Sequence, residues 1–309
     1  MTRAFYHITV WCDTIPFMHD SHVHLTREPL ISNLSEIIHS FQDKGGTYIL
    51  SQSTQSDDFD TNLQLTTLYP AVIQAAIGLH PTIFEDISTK NTYEQKDIFI
   101  NGEREIKLFE EYVQKHNNKI KAIGECGLDY YQFSLNESYS KETKEELKEI
   151  QKISFRKHLQ LALKFNLPLS IHARDVADSD ECVRDVIRLI CEEGKGALCG
   201  VFHSYTGNMS YLEEILDLGF YIGFNGIITY KSGENVRDIL KQTPFDRILF
   251  ETDGPFLPPQ SVRKNGHIKE KFAQPADIKE IIETASQVKN ITYEYLEKSS
   301  DANYSLLFL

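Results

Sequence analysis

The chain has 309 residues, 41% of them hydrophobic and 25% charged, with a formal net charge of −13. That length and composition suit one barrel-sized unit with a buried core and exclude a disordered chain, and apolar runs of only a handful of residues exclude a spanning helix. The acidic balance argues against broad electrostatic adhesion to nucleic acid, although local Arg and Lys with bound divalent cations can still meet phosphates inside a cleft.

Residues 1–17 contain an apolar stretch, AFYHITVWC, that superficially suggests a leader. His7 lies inside it, Asp13 follows, and no small-x-small cleavage site closes it, so it reads as a short N-terminal arm. Cys12, Cys126, Cys182, Cys191 and Cys199 are dispersed without a CxxC pair. This fits reduced thiols in the cytoplasm, or in the nucleus of a eukaryotic cell. From residue 18 onward, short β-rich runs alternate with amphipathic helical patterns, as parallel βα units do. After HDSHVH, Leu34, Ile37, Ile38 and Phe41 recur at helical spacing, and Lys44-Gly45-Gly46 stops the helix. TYILS (47–51) reads as the second strand and AVIQAAIG (71–78) as the third. A helix over 104–117 leads to KIKAIGE, the fourth strand, and a long helix over 143–166 precedes LPLSIH, the fifth. A helix from Cys182 to Glu193 precedes ALCGVFH, the sixth, and one over 209–218 precedes FYIGFNG, the seventh. A helix over 234–242 leads to DRILFET, the eighth strand, and after Pro275 come a helix and a C-terminal helical segment. Eight strands and eight helices, with no Pro- or Gly-rich linker, predict an α/β fold of one domain over 18–309, a (β/α)8 TIM barrel. An open doubly wound sheet would carry a glycine-rich phosphate loop after its first strand, and there is none.

The residues suited to chemistry fall at the strand ends, on the face where barrel active sites are built. In Asp20-Ser21-His22-Val23-His24, alternation along a strand puts both histidines on one side. Glu125 ends the fourth strand, His172 the fifth, His203 the sixth and Asp253 the eighth. Any one of these has an ordinary structural explanation; four histidines and two carboxylates on five strand ends do not. Six such side chains exceed the needs of one open catalytic ion and suit two divalent metals bridged by a carboxylate.

In their order and spacing, DSHVHL, GLHP, GECGLDYY, LPLSIHAR, FHSYTG and ETDGPFL resemble the TatD family of metal-dependent deoxyribonucleases, over roughly residues 18 to 309. The resemblance implies that His22, His24, Glu125 and Asp253 hold a first metal. Glu125 would bridge it to a second, completed by His172 and His203. It also implies hydrolysis of phosphodiesters, usually in DNA and often from the 3′ end. Cys126, Ala273-Gln274-Pro275 and Ser204-Tyr205 depart from the usual pattern, and the N-terminal arm is additional. No departure removes a ligand.

The expected reaction is in-line attack by a metal-bridging hydroxide in a 3′–5′ exodeoxyribonuclease, with Asp253 and Glu125 as the catalytic carboxylates. The substrate would be single-stranded DNA or 3′ ends, with no membrane and no obligate protein partner. Arg174, His80 and Tyr205 are candidate substrate contacts, and Tyr130 and Tyr131 candidate stacking rings. Asp20 and Asp129 are placed to orient the ligating groups from behind. The metals could be Zn, Mn, Mg or Fe. The same dinuclear site could instead serve a D-aminoacyl-tRNA deacylase or a small-ester or lactone hydrolase, and a non-catalytic binding barrel ranks last.

Overall fold

A computed structural model describes residues 18–85, 97–267 and 269–309, so the expected arm over residues 1–17 lies outside the described residues. Eight strands form one sheet: β1 (Met18–Val23), β2 (Gly46–Gln52), β3 (Ile73–Ile77), β4 (Ala122–Asp129), β5 (Leu169–Arg174), β6 (Gly200–Phe202), β7 (Tyr221–Phe224) and β8 (Ile248–Phe250). They pair in chain order, and every pair is parallel. The seam between the last strand and the first closes just beyond β8. Asp253 N donates to His22 O at 2.8 Å, and His24 N donates to Gly254 O at 2.7 Å. The result is the (β/α)8 barrel expected from the alternation.

The helices are α1 (Leu34–Asp43), α2 (Phe59–Leu68), α3 (Ile98–His116), α4 (Lys141–Phe165), α5 (Glu181–Gly194), α6 (Leu212–Asp217), α7 (Glu234–Gln242), α8 (Gln260–Lys264), α9 (Ile278–Lys289) and α10 (Tyr293–Phe308). Two of them, α2 and the short α8, were not expected. The main core lies between the strands and this helical layer, with Phe41, Phe109, Phe155 and Phe202 fully buried. A second apolar cluster fills the lower barrel interior, where Leu50, Ala76, Ala122, Val201 and Leu249 meet Tyr304 and Phe308 of α10. Tyr304 stacks on Tyr48 with ring centroids 6.2 Å apart and donates to Gln74 Oε1 at 2.8 Å. The C-terminal helix thus seals one end of the barrel and leaves the other to polar side chains.

Ser140 caps α4 by accepting from Thr143 N, and Asn166 ends it in the left-handed region at φ 52°. This helix carries His158, whose ring stacks on Phe109 at 4.0 Å. Its Nε2 accepts from Leu79 N at 2.9 Å and its Nδ1 donates to Ser154 O at 2.8 Å, so the neutral ring fixes the loop that carries His80. Burial pushes the His158 imidazole down to about 4. The unfolded chain takes up this proton below pH ~6.5, while the folded chain refuses it until about 4. The stabilisation is therefore whole above that window and is lost as the pH falls through it, by about 3 kcal/mol. Compared with wild type, His158→Gln is expected to be less stable at pH 7 by roughly 1–3 kcal/mol, and the gap should close by pH 4.5. Urea midpoints for both proteins at several pH values test this; a gap independent of pH would refute it.

Candidate metal centre

Alternation along β1 and the residue just beyond it delivers His22 and His24 to the barrel interior with their Nε2 atoms 3.3 Å apart. Glu125 Oε2 lies 3.3 Å from His22 Nε2 and 3.4 Å from His24 Nε2. Asp253 Oδ1 lies 3.4 Å from His24 Nε2 and 3.8 Å from His22 Nε2. Donor atoms about 2.1 Å from a tetrahedral ion stand about 3.4 Å from one another, so these four surround a point fit for a metal.

The other oxygen of the same carboxylate faces a different group. Glu125 Oε1 lies 3.0 Å from His172 Nδ1, 3.2 Å from His203 Nε2 and 3.4 Å from His80 Nε2. All six expected ligand side chains are thus brought together around Glu125. His80, expected as a substrate contact, stands inside the cluster and forms with Glu125 and His172 one of three groupings able to hold an ion.

Behind the imidazoles stand groups that fix their orientation. Asp129 Oδ2 is 2.9 Å from His172 Nε2, which leaves Nδ1 facing Glu125. Glu251 Oε1 is 3.0 Å from His203 Nδ1 and also accepts from Ser204 N. Ser170 Oγ is 3.0 Å from His22 Nδ1. Sequence reasoning placed Asp129 here but passed over Glu251 and Ser170. Glu251 stands in the same ETD motif as Asp253, two residues earlier on the inward face, and period-two alternation could have found it. Asp20 accepts from His22 N and from both the amide and hydroxyl of Thr252, tying β1 to the end of β8.

Electrostatics sort these groups. Burial by itself raises Glu125 and Asp253, but the imidazoles prevail. His80, His22 and His203 hold Glu125 well below the ordinary carboxylate range, and His203, His24 and His22 lower Asp253. Burial likewise opposes charge on His172, yet Asp129 and Glu125 raise it to about 9. Burial and the neighbouring His203 lower His22. Burial pushes the Asp20 carboxyl up to about 8. The carboxylates thus draw positive charge onto His172 and His203, while burial disfavours it on His22 and His80. A divalent cation supplies that charge to neutral imidazoles, so the donor set fits divalent metal binding.

The cluster forms the floor of a cavity of about 740 Å³ at the C-terminal mouth of the barrel. Arg174 lies on the rim, its guanidinium 4.0 Å from the Tyr131 ring centre, and it makes no ion pair among the described residues. Arg27, which the sequence reading overlooked, also lines the cavity and donates to Thr54 Oγ1. Tyr205 is buried, and its hydroxyl donates to Asn208 O at 2.9 Å, so it packs inside its loop and does not line the cavity. Tyr130 is likewise buried and donates to Asp185. Cys126 is fully buried, and burial pushes its thiol well up, as inert packing requires. In Ala273-Gln274-Pro275, Gln274 and Asp277 form a reciprocal capping pair.

Eight parallel strands that deliver imidazoles and carboxylates to one mouth define a barrel of the metal-dependent hydrolase class. The family model described as TatD related DNase matches residues 19–309, and the chain belongs to the TatD family of metal-dependent hydrolases. The chain is 29% identical to the uncharacterized metal-dependent hydrolase YabD of Bacillus subtilis, over 94% of this chain and 98% of that protein. It is 31% identical to the 3′-5′ ssDNA/RNA exonuclease TatD of Klebsiella pneumoniae, over 64% of this chain and 68% of that one. The solved structure of the TatD homologue YjjV from Escherichia coli shares the fold. Its TM-score is 0.75 at 21% identity, covering 96% of this chain and 99% of that one.

Proposed function

We propose that this chain is a two-metal phosphodiester hydrolase that shortens single-stranded DNA from its 3′ end. One observation carries the reading: the two oxygens of Glu125 face two separate groups of donors. His22, His24, Glu125 and Asp253 would hold one divalent ion, and Glu125, His172 and His203 the other. When bound, the ions would lower the pKa of water and draw charge off the phosphate oxygens.

The chain's own residues do the rest. Asp253 lines the cavity beside His24, and with Oδ1 among the proposed donors the second oxygen of its carboxylate would take the proton from the attacking water. Asp129 and Glu251 keep the rings of His172 and His203 from turning. Arg174 and Arg27 offer guanidinium groups to phosphates on either side of the cleaved bond. A DNA substrate is supported by these two arginines and by the activity named for the Klebsiella relative.

The test uses metal-loaded protein with 3′-labelled and 5′-labelled single-stranded DNA. Stepwise loss of the 3′ label first, abolished by EDTA and by Asp253→Asn, is expected. Bound metal with intact DNA would sink the substrate assignment and leave the hydrolase site standing.

A further inference from the structure

Among the described residues ten large apolar side chains are exposed, and Phe256 is the one of them that lines the cavity over the metal centre. It is 53% exposed, with its ring centre 5.7 Å from that of His24 and the planes at 69°. The loop that carries it is held by three hydrogen bonds. Phe256 N donates to Asp253 O at 2.9 Å, Pro255 O accepts from Ala273 N at 3.0 Å, and Pro258 O accepts from the Tyr230 hydroxyl at 2.8 Å. A half-exposed aromatic ring on a tethered loop that lines a cavity has the form of a stacking platform.

The rest of the rim supplies the complement. Arg174 ends β5 and Tyr131 follows β4, across the barrel mouth from β8, while Arg27 follows the neighbouring β1. A ligand that covers Phe256 and reaches the arginines must join a flat unsaturated ring to anionic groups. A small aliphatic ester or lactone offers neither. We infer that Phe256 is the floor of a subsite that stacks the terminal nucleobase of the substrate strand, with its phosphate over the metal cluster. This rests on the phosphodiesterase reading above and adds to it the part of the nucleotide that is recognised. Stacking is indifferent to base identity, so the subsite accepts any base and favours the larger purine faces.

The test uses metal-loaded protein and single-stranded DNA carrying 2-aminopurine at the 3′ terminus, with a phosphorothioate last linkage to slow cleavage. Wild type and Phe256→Trp are expected to quench the fluorophore, and Phe256→Ala is not. In steady state, Phe256→Ala should raise KM for ordinary DNA roughly 5- to 100-fold with kcat changed little, because lost base stacking is uniform binding. The same variant should leave KM unchanged for an oligonucleotide whose 3′ residue is abasic. DNA cleaved normally, with quenching and KM independent of Phe256, would overturn the stacking subsite and spare the nuclease. DNA neither bound nor cleaved by wild type would overturn both.

Discussion

Glu125→Gln is expected to lower turnover on the order of 10³-fold and to cost the protein most of its bound metal, since metal charge stabilisation is worth several kcal/mol. The substitution keeps the size of the side chain and removes its charge. Glu125 is 2% exposed and lies within 3.4 Å of five imidazoles, through Oε2 to His22 and His24 and through Oε1 to His80, His172 and His203. A glutamine amide would turn a donor N–H toward one of those groups of nitrogens, where a cation also has to sit. Glu125→Asp keeps the charge but draws the carboxylate back by one methylene, so it should hold fewer ions than wild type and more than Glu125→Gln. Elemental analysis of metal per chain, beside kcat on single-stranded DNA, checks both variants. A Glu125→Gln protein with its full metal complement would mean that the carboxylate does not join two sites.

The second large effect is expected from a residue with no side chain. Gly127 pairs with His172 across β4 and β5 and adopts φ 139°. A Cβ placed there would lie 2.0 Å from His172 O and 3.0 Å from His172 N. Backbone cannot swing aside as the end of a lysine can, so Gly127→Ala must part the two strands. The cost should be on the order of 4 kcal/mol or more, a large share of the stability of most folded chains. That corresponds to a fall in Tm of roughly 6 °C or more, together with weakened metal binding, because the displaced strand carries His172. Thermal melts with and without added metal would measure both. A variant with wild-type Tm and metal content would show that the strand pair relaxes freely.

The six side chains expected as ligands, which the fold gathers at one mouth, stood out because strand-end position and residue type carry the signal together. A His or a carboxylate after an apolar run means little once and much when repeated around a barrel. The arrangement behind them was less legible. Glu251 looks like an ordinary strand residue until His203 is seen to lean on it, and those two are 48 positions apart in sequence. Helix α2 escaped for a different reason. Its sequence FDTNLQLTTL buries Asn62, whose amide donates to Ser51 O, Ser53 Oγ and Ala76 O, so the inward face is partly polar and the apolar period is broken. The start of α3 was read six residues late, because buried Asn101 and Gly102 interrupt the pattern. Gly102 lies where a Cβ would press on Ile150 of α4, a packing demand with no sequence periodicity. Phe256 stood inside the ETDGPFL motif, yet nothing in the order of letters says which aromatic rings face out.

The seam of the barrel has a temporal meaning as well as a spatial one. The hydrogen bonds that join His22 and His24 to Asp253 and Gly254 close the cylinder between segments about as far apart in the chain as the fold allows. Those same segments supply three of the four donors proposed for the first ion. A nascent chain on the ribosome therefore has no such site until residue 253 has emerged and the cylinder has closed around it. Hydrolytic competence would arrive with completion of the fold, and unfinished or clipped molecules would be chemically silent. The cation, once captured, would act as a rivet through the joint that formed last.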